Sequence, residues 1–580
     1  MKKVFVRGFV LAVIVSTGSV LFMACASNPA AAAGAVAEYQ ETGPWVGNPL
    51  VMTKYGQVRG DSAADSTWLW KAIPYARPPL GDLRWRAPQQ PLPWNGVRHA
   101  TSFNGGCTQY NAIFGWMMMG SEDCLYLNIW RPKDTAAALP VYVFIHGGGN
   151  SAGSATIVPD YYGNRLAAIS GMVFVSLNYR LGPFGWFTNP ALRDGVSALD
   201  GSGNYGTLDM IEALRWIKEN IKAFGGDPGN VTITGESAGS MDVMTMIISP
   251  LARGLFHRAM AESGATFTQS IAMGDERSRL VFQQLLVRDK KGKNINETAR
   301  YSSGMSNAQI ASYLRSKSPR DILSLYSPGA LGLLDNPSLF RDGTVLPAQG
   351  FDEMVRGDYL NKVPLILGTN KEEMKLFLAV GNTIPLKSDF YQVVATYASD
   401  RWKAVGVDAV ARQFTSVPGQ PPVYVYQFAW GAPDPSGGGP LPGNWGHKLG
   451  AFHTLDVPFF LGNDTAEAVL QWFLFTKENK PGRKALSAVM MDYVAQFART
   501  GNPNRPFSGL PVWSPWSNAP GESKTIIFDG TRTKAVVTMS NKELSLESVL
   551  ADVNANLTEP LRSRTLEYLA HSSIPAIRSR

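Results

Sequence analysis

Short apolar runs alternate with longer amphipathic segments along most of this chain. Runs rich in β-branched and aromatic residues predict buried strands at 141–145, 172–177, 231–234, 363–367 and 423–428. Residues 207–224 carry apolar side chains at helical spacing, and the turn-forming segment Gly225–Pro228 ends that helix. Strands that alternate with helices predict an α/β fold, with a mostly parallel central sheet that is covered by helices on both faces.

The part of the chain from 45 to 545 shows no feature that would divide it. It has no long Pro/Ser-rich linker, no internal repeat and no abrupt change of composition. We therefore predict one large domain there, followed by a C-terminal extension at 546–580. Within the domain, the stretch from 270 to 355 is polar and helix-like. It could be part of a lid over a site or a decoration of the surface, and the sequence leaves both readings open.

Residues 1–26 have the pattern of an export signal. Three basic residues precede an apolar run from Phe9 to Met23, which is short for a membrane span. The small residues there fit cleavage after Ala26, whereas a lipoprotein leader would end at Cys25. We expect plain export to the periplasm or the medium, with the membrane as a partner only if Cys25 is lipidated. Residues 27–44 are predicted to be a flexible segment.

Composition narrows the class of protein. A chain of 580 residues that is 45% hydrophobic can bury a large core. The net charge of +8 would suit an anionic partner or simply a basic exported protein. Because basic and aromatic residues are not interleaved in blocks, nucleic acid is not an expected partner.

The chain has three cysteines, of which Cys25 belongs to the leader. The remaining two, Cys107 and Cys124, form an even set in a chain that we expect to be exported, so they predict a disulfide. Closing a loop of that size stabilises the fold by about 3 kcal/mol in the chain-entropy model. No further cysteine is available and the histidines are scattered, so we expect no metal site.

The segment Gly235–Gly239 has the sequence G-E-S-A-G and lies between a predicted strand and an apolar helical stretch. A turn from strand to helix at this point is so tight that the positions flanking the central Ser237 must lack bulky side chains. Such a turn holds the hydroxyl clear of the backbone at the carboxyl end of a strand, where open α/β sheets place their ligands. In this context Ser237 is predicted to be a nucleophile.

A serine nucleophile needs a base, which is usually a histidine. The chain has six histidines, and two of them, His447 and His453, lie in a late segment that would emerge beside the sheet. From position alone we favour His453 slightly, because it follows a Pro/Gly-rich loop and precedes an apolar segment. His146, which opens a glycine run, is better explained as an organiser of its loop.

The base in turn needs a carboxylate that fixes its tautomer. Glu372 and Glu373 both follow the predicted strand at 363–367, and either could instead be a residue of a first helical turn. The glycine run after His146 follows another strand, so the backbone N–H groups of Gly148 and Gly149 could approach a substrate oxygen closely. The N–H of Ala238, directly after the nucleophile, would be a further oxyanion donor.

With these residues in view, the chain resembles the type-B carboxylesterase family, which includes the cholinesterases, over nearly its whole exported length. The stretches that carry the resemblance occur in the family's order; they are Ala72–Ala76, Pro78–Gly81, Glu122–Asn128, His146–Gly149, Asn178–Gly182, Phe224–Pro228 and Gly235–Gly239. The resemblance implies an α/β-hydrolase fold with large loop and helical insertions over the site, and a hydrolase that needs no cofactor.

The resemblance also implies roles for individual residues. The nucleophile is Ser237, the acid is Glu373 rather than Glu372, and the base is His453 rather than His447. The oxyanion donors are the N–H groups of Gly148, Gly149 and Ala238, and the family's early disulfide corresponds to Cys107–Cys124.

The resemblance does not extend to the shape of the pocket, because Asn150 replaces an aromatic residue that is common in the family after the glycine run. The Cys107–Cys124 loop is rich in aromatic and methionine side chains, which could border the entrance or pack as a surface loop. The residues that we expect to line the pocket are Asn150, Glu236, Trp116 and Met118.

The sequence therefore predicts an exported serine carboxylesterase that acts on a small-molecule ester. An esterase specialised for a bulky, polymeric or anionic multi-ester substrate remains an alternative, because a fold does not determine its substrate. A non-catalytic binding protein on a cholinesterase-like fold is less favoured, since every catalytic group is present. The sequence determines neither the acyl and alcohol preference nor the oligomeric state.

Overall fold

The structure is a computed structural model of the chain. It describes residues 37–571, apart from 112–114, 116, 157, 382–383, 435–436 and 464–472. The expected export signal at 1–26, the first part of the flexible segment, Trp116 and the last nine residues of the C-terminal extension lie outside the described residues.

The strands are β1 (Leu50–Thr53), β2 (Gly56–Arg59), β3 (Asp61–Ala63), β4 (Thr67–Pro74), β5 (Val97–His99), β6 (Gln109–Tyr110), β7 (Met118–Met119), β8 (Tyr126–Pro132), β9 (Leu139–Ile145), β10 (Val173–Leu177), β11 (Gly226–Glu236), β12 (Arg258–Glu262), β13 (Leu365–Asn370), β14 (Val423–Phe428), β15 (Thr525–Gly530) and β16 (Ala535–Ser540).

The α-helices are α1 (Asn164–Ser170), α2 (Gly182–Gly185), α3 (Pro190–Arg193), α4 (Tyr205–Asn220), α5 (Ala238–Ile248), α6 (Ile271–Arg288), α7 (Ile295–Ser302), α8 (Asn307–Arg315), α9 (Pro319–Leu323), α10 (Asp352–Arg356), α11 (Met374–Gly381), α12 (Asp389–Trp402), α13 (Ala409–Thr415), α14 (Trp445–Lys448), α15 (Val457–Phe460), α16 (Lys480–Thr500), α17 (Leu546–Asn556) and α18 (Leu561–His571). A π-helical segment, Lys403–Asp408, joins α12 to α13.

Eleven strands form the central sheet, in the order β16-β15-β14-β13-β12-β11-β9-β10-β8-β4-β3. The seven strands from β15 to β10 pair in parallel, whereas β16 at one edge and β8, β4 and β3 at the other pair antiparallel. This arrangement confirms the predicted mostly parallel sheet, and the five predicted strands correspond to β9, β10, β11, β13 and β14. The sequence analysis did not predict β12, which lies between β11 and β13.

Alternate residues of β9 face two separate cores. Val141, Val143 and Ile145 belong to one apolar cluster, together with residues of α4 and α5, whereas Tyr142 and Phe144 belong to another, together with residues of α1 and α16. Because successive side chains of a strand point to opposite faces of the sheet, both faces are buried under helices. This confirms the predicted layering of helix, sheet and helix.

The polar insertion between β12 and β13 has two parts. Helices α6, α8 and α9 pack with residues from earlier in the chain in a satellite cluster that includes Trp85, Phe184 and Leu314. After them, residues 333–338 extend to a cavity at the carboxyl ends of the parallel strands and line part of its wall. The helices are therefore decoration, while the end of the insertion borders the site.

The segment after residue 545 packs against the domain. Val549 and Val553 of α17 and Leu569 of α18 join an apolar cluster with α12, which includes Trp402. Across the residues that the structure describes, no helix combines the length and the apolar character that a membrane crossing requires. The predicted disulfide between Cys107 and Cys124 is present and closes the loop that contains β6 and β7.

A buried ion pair ties the loop after β10 to helix α4. Arg180 donates from its backbone N–H and its Nε to Asp209 Oδ2, at 3.0 and 2.8 Å, and from its Nη2 to Asp209 Oδ1 at 2.7 Å. Both side chains are buried. Charges buried away from water are strongly destabilising when one partner is lost.

We expect Asp209→Ala to lower the free energy of unfolding by about 3 kcal/mol or more, because it leaves the guanidinium of Arg180 buried without its anion. Denaturant unfolding followed by tryptophan fluorescence measures this change. Arg279→Ala is the matched control, since Arg279 pairs with Glu276 on an exposed helix face and surface pairs contribute little. An Asp209→Ala protein as stable as that control would contradict the prediction.

Candidate active site

Ser237 lies at a sharp turn between strand β11 and helix α5. Its backbone angles are φ 59° and ψ −120°, which an L-residue adopts only under strain. A Cβ atom on Gly235 would lie 2.4 Å from the carbonyl oxygen of Gly239, and one on Gly239 would lie 2.1 Å from the carbonyl oxygen of Ile145. Glycine is therefore required on both sides of the serine, as the sequence analysis predicts.

The side chain of Ser237 is half-buried on the wall of a cavity of about 500 Å³. The described residues that line this cavity are Gly149, Asn150, Ser237, Ala238, Met241, Ser263, Gly264, Ala265, Phe267, Gln269, Leu333, Leu334, Asp335, Asn336, Ser338, Phe377 and Trp402. Asn150, Gly149 and Ala238 are thus brought to the same space as Ser237.

His453 and Glu373 are joined by a hydrogen bond of 2.6 Å between Nδ1 and Oε2. Both side chains are buried. The other carboxylate oxygen of Glu373 accepts from the backbone N–H of Asn370 at 2.7 Å and from the hydroxyl of Thr369 at 2.8 Å. These bonds fix the carboxylate, so that in the neutral imidazole of His453 the proton lies on Nδ1 and the lone pair of Nε2 is available.

The two residues that competed with this pair in the sequence lie elsewhere. Glu372 forms an ion pair of 2.6 Å with the buried Lys375 and accepts the backbone N–H of Ala451 at 3.0 Å. His447 is an exposed residue of helix α14. The structure therefore brings Glu373 to His453, and places Glu372 as an anchor of the loop that carries the histidine.

Two aromatic rings enclose the imidazole of His453. The ring centroids of Phe377 and Trp402 lie 5.0 and 5.1 Å from that of His453, and both residues also line the cavity of Ser237. They place the imidazole beside the cavity and keep it away from bulk water. The sequence analysis missed both rings, because nothing in the local pattern of α11 or α12 indicates which helix face meets a distant loop.

The Nε2 atom of His453 faces Glu236, the residue before the nucleophile. It lies 3.1 Å from Glu236 Oε1, without the alignment of a hydrogen bond. Within the described part of the chain, no hydrogen bond joins the hydroxyl of Ser237 to His453. Burial lowers the pKa of His453, but the carboxylates of Glu236 and Glu373 outweigh this effect and raise it to about 9.

Glu236 belongs to a group of acidic side chains buried beneath the turn. Burial raises the pKa of Glu236 to about 8 and that of Asp456 to about 6, and it also raises the pKa of Glu262. Tyr426 donates to Asp456 at 2.6 Å, and Thr234 donates to Glu262 at 2.7 Å. The sequence analysis did not identify Glu262 or Asp456, although each stands at the end of a strand or close to the predicted base.

Two of the expected pocket residues are placed elsewhere. Glu236 lies under the glycine loop, because a Cβ atom on Gly147 would come within 2.8 Å of its Oε2, and it is absent from the described lining of the cavity. Met118 is a residue of β7 and packs against the satellite cluster of α6, α8 and α9. The described wall of the cavity includes neither side chain, and Trp116 lies outside the described residues.

The glycine loop that follows β9 has the conformation that its sequence requires. Gly148 and Gly149 have φ angles of 110° and 61°, and a Cβ atom on Gly148 would lie 2.1 Å from the carbonyl oxygen of Ala152. Gly149 and Ala238, two of the three predicted oxyanion donors, line the cavity beside Ser237. Among the described residues, no group of three or more His, Cys, Asp or Glu side chains could hold a metal ion.

Comparisons with known proteins identify the family of this chain. The model of the Carboxylesterase family matches residues 47–404 and 387–545. The para-nitrobenzyl esterase of Bacillus subtilis (strain 168) is 31% identical over 494 residues, which cover 80% of this chain and 92% of that esterase. The liver carboxylesterase of Sus scrofa is 30% identical over 590 residues, which cover 89% of this chain and 96% of that enzyme.

A solved structure of a PNB esterase shares the fold, with a TM-score of 0.64 at 29% sequence identity, and the match covers 85% of this chain and 97% of that one. The family match spans most of the described chain, and the central sheet and its layers have the arrangement of an α/β-hydrolase. The chain therefore belongs to the carboxylesterase family, which makes it a carboxylic ester hydrolase with the α/β-hydrolase fold.

Proposed function

We propose that this chain is an exported serine carboxylesterase, which hydrolyses small-molecule esters through an acyl-enzyme at Ser237. The observation that carries the proposal is the buried hydrogen bond between His453 Nδ1 and Glu373 Oε2, at 2.6 Å. The imidazole packs against two rings of the cavity on which Ser237 lies. A serine on a strained turn, an imidazole and a carboxylate that orients it are the three parts of a serine hydrolase.

In the proposed reaction, the hydroxyl of Ser237 attacks the ester carbonyl carbon while Nε2 of His453 takes its proton. The negative charge that forms on the carbonyl oxygen is stabilised by the backbone N–H groups of Gly148, Gly149 and Ala238. The intermediate then collapses, and the alcohol leaves with the proton from His453. Water repeats the same steps on the acyl-enzyme and releases the acid. The residues named here supply every group in these steps.

For this reaction, Nε2 must exchange its contact with Glu236 for one with the hydroxyl of Ser237. Catalytic hydrogen bonds are often poorly aligned without substrate and tighten when it binds. Glu373, and Glu236 once it is ionised above its pKa of about 8, then stabilise the imidazolium that forms during the attack, because both lie within 3.1 Å of a ring nitrogen of His453. We therefore propose that Glu236 acts on the charge of the base rather than on the substrate.

The cavity supports a neutral ester of modest size as substrate. Its volume of about 500 Å³ lies within the range of about 300 to 1,000 Å³ that is typical of small-molecule sites. Among the described lining residues, Asp335 is the one acidic side chain and none is basic. The net charge of +8 is therefore not concentrated around the described wall, which favours neutral esters over the anionic alternative.

We also propose that the chain is exported through residues 1–26 and that 45–545 is a single catalytic domain. The basic and apolar pattern of the first residues supports export. So does the Cys107–Cys124 disulfide, since disulfides persist mainly in oxidising compartments.

We expect Ser237→Ala to lower kcat for a short-chain nitrophenyl ester by at least about 10⁴-fold, because it removes the nucleophile and leaves only binding and oxyanion stabilisation. The measurement is steady-state hydrolysis, with circular dichroism to check folding. Ser240→Ala is the matched control, since it removes a buried hydroxyl from the same helix. Substantial hydrolysis by a folded Ser237→Ala protein would refute the assignment.

The two late histidines give a second test. We expect His453→Ala to lower kcat by at least about 10³-fold, because the serine loses its base. His447→Ala should retain nearly full activity, because that side chain is exposed and carries no proposed role. Rates are compared with the same ester at several concentrations. Equal losses in the two proteins would show that the base is misassigned.

The pH dependence tests the influence of Glu236. A protonated imidazole cannot accept the proton of Ser237, so kcat/KM rises as the pH passes the pKa of His453. Glu236 raises that pKa, and Glu236→Gln should therefore move the rise to lower pH. Glu212→Gln serves as control, because Glu212 is a buried acid of helix α4. An unchanged or upward shift in Glu236→Gln, measured from pH 5 to 10, would contradict the prediction.

A further inference from the structure

Asn150 and Asp242 form a buried hydrogen bond that the proposed catalytic steps do not use. Asn150 Nδ2 donates to Asp242 Oδ1 at 3.2 Å, and both side chains are buried. Asn150 follows the glycine loop directly, and its backbone oxygen accepts the N–H of Gly182 at 2.7 Å. Asp242 lies in the second turn of helix α5, which begins at Ala238.

A second bond holds the other end of the same loop. The hydroxyl of Tyr179 donates to the carbonyl oxygen of His146 at 2.7 Å and lies 3.4 Å from Asn150 Oδ1. The rings of Tyr179 and His146 are stacked, with their centroids 4.5 Å apart. The glycine loop is therefore fixed at its first residue by Tyr179 and just after its last by Asp242.

This arrangement joins the two sides of the proposed oxyanion hole. The N–H groups of Gly148 and Gly149 stand on the loop, whereas that of Ala238 stands on the first turn of α5. Both glycines have positive φ angles, which glycine adopts freely and without a steric preference. Bonds from the N–H groups of Ser151 and Ala152 to the carbonyl oxygen of Gly148, at 3.1 and 2.9 Å, hold the turn of the loop itself, whereas the Asn150–Asp242 bond runs from the loop to helix α5.

We infer that the Asn150–Asp242 hydrogen bond sets the separation of the oxyanion donors on the glycine loop from the donor on helix α5. Asp242 is then a positioning residue for the reaction, acting through Asn150 and touching no substrate. The inference rests on the proposed function, because it concerns the same oxyanion. Donors contribute to catalysis only when they are held at hydrogen-bond distance from the place where the charge develops.

The chemical state of Asp242 suggests which replacement should preserve the bond. Burial raises the pKa of Asp242 to about 8, although the hydrogen bond from Asn150 lowers it. The group is therefore largely an uncharged acid at neutral pH. An asparagine at 242 has the same shape, is uncharged and keeps a carbonyl oxygen for Asn150 Nδ2.

The test compares Asp242→Ala with Asp242→Asn. Asp242→Ala removes the acceptor on the helix. It leaves Asn150 unchanged, whose positive φ would strain most replacements at that position. We expect it to lower kcat about 10- to 100-fold while KM changes less than about threefold, since a shift of about 1 Å in a catalytic group can cost about 100-fold. Binding of a trifluoromethyl ketone, which forms an oxyanion with the active serine, should weaken by a similar factor. Asp242→Asn should restore most of both.

The matched control is Thr245→Val. Thr245 is a buried residue of the same helix, and its hydroxyl bonds to the backbone oxygen of Asp242 rather than to the loop. We expect its kcat and its ketone affinity to be close to those of the unchanged protein. Unfolding midpoints of all variants are measured as well, because a merely structural role of Asp242 would lower stability without separating kcat from KM.

A second variant covers the case in which Asp242→Ala does not fold. Asn150→Gly removes the same bond from the loop side and tolerates the positive φ. We expect it to reduce kcat and ketone affinity as Asp242→Ala does, and the double variant should lose little more than either single variant. If the fold-losses of the two single variants multiply in the double variant, the two residues act separately and the inference is overturned.

The outcomes also separate this inference from the proposed function. If Ser237→Ala is inactive but Asp242→Ala and Asn150→Gly match Thr245→Val, the proposed function stands and only the positioning role is overturned. If the unchanged protein hydrolyses no ester and does not bind the ketone, the proposed function fails and the inference fails with it. A selective loss of kcat and ketone affinity that Asp242→Asn rescues would support both.

Discussion

The structure depends on the close approach of helix α5 to the end of strand β9. Gly239 brings the first turn of the helix against the carbonyl oxygen of Ile145 so tightly that no Cβ atom would fit. This contact forces the strained backbone of Ser237, which is held in place by its N–H bond of 2.9 Å to the carbonyl oxygen of Glu262 on β12. Strain of this kind persists only where the surroundings fix it, and here three neighbouring parallel strands do so.

Burial of polar groups is the second constraint on the site. Glu236, Glu262, Glu373 and Asp456 lie close together beneath the turn with little or no exposure, and ionised carboxylates in such surroundings are costly. Hydrogen bonds from neighbouring hydroxyl, amide and backbone groups offset part of this cost, and His453 offers the positive charge that the cluster lacks. The negative charge of the neighbouring carboxylates Glu236 and Glu373 raises the pKa of His453 and so favours a proton on its ring, which is the state that a general base reaches during attack.

Parts of the chain far from the sheet complete the site. Trp402, whose ring lies against His453, belongs to the same apolar cluster as residues of the C-terminal helices α17 and α18. The end of the 270–355 insertion, by contrast, supplies part of the cavity wall. These elements determine the shape and polarity of the pocket more than the catalytic groups do. Members of one family can therefore share a mechanism and differ in the esters they accept.

The sequence by itself determined the strand pattern, the tight turn at Ser237 and the glycine loop, because each depends on local backbone geometry that few residue types allow. It reduced the base and the acid to two candidates each; position favoured His453 slightly over His447, and the resemblance to a family chose Glu373 over Glu372. Tertiary structure decided the rest: β12, with its Ala-Met-Ala segment, becomes a strand by pairing with β11 and β13. The Asn150–Asp242 bond and the rings around His453 join residues far apart in the chain, and no local pattern specifies such contacts.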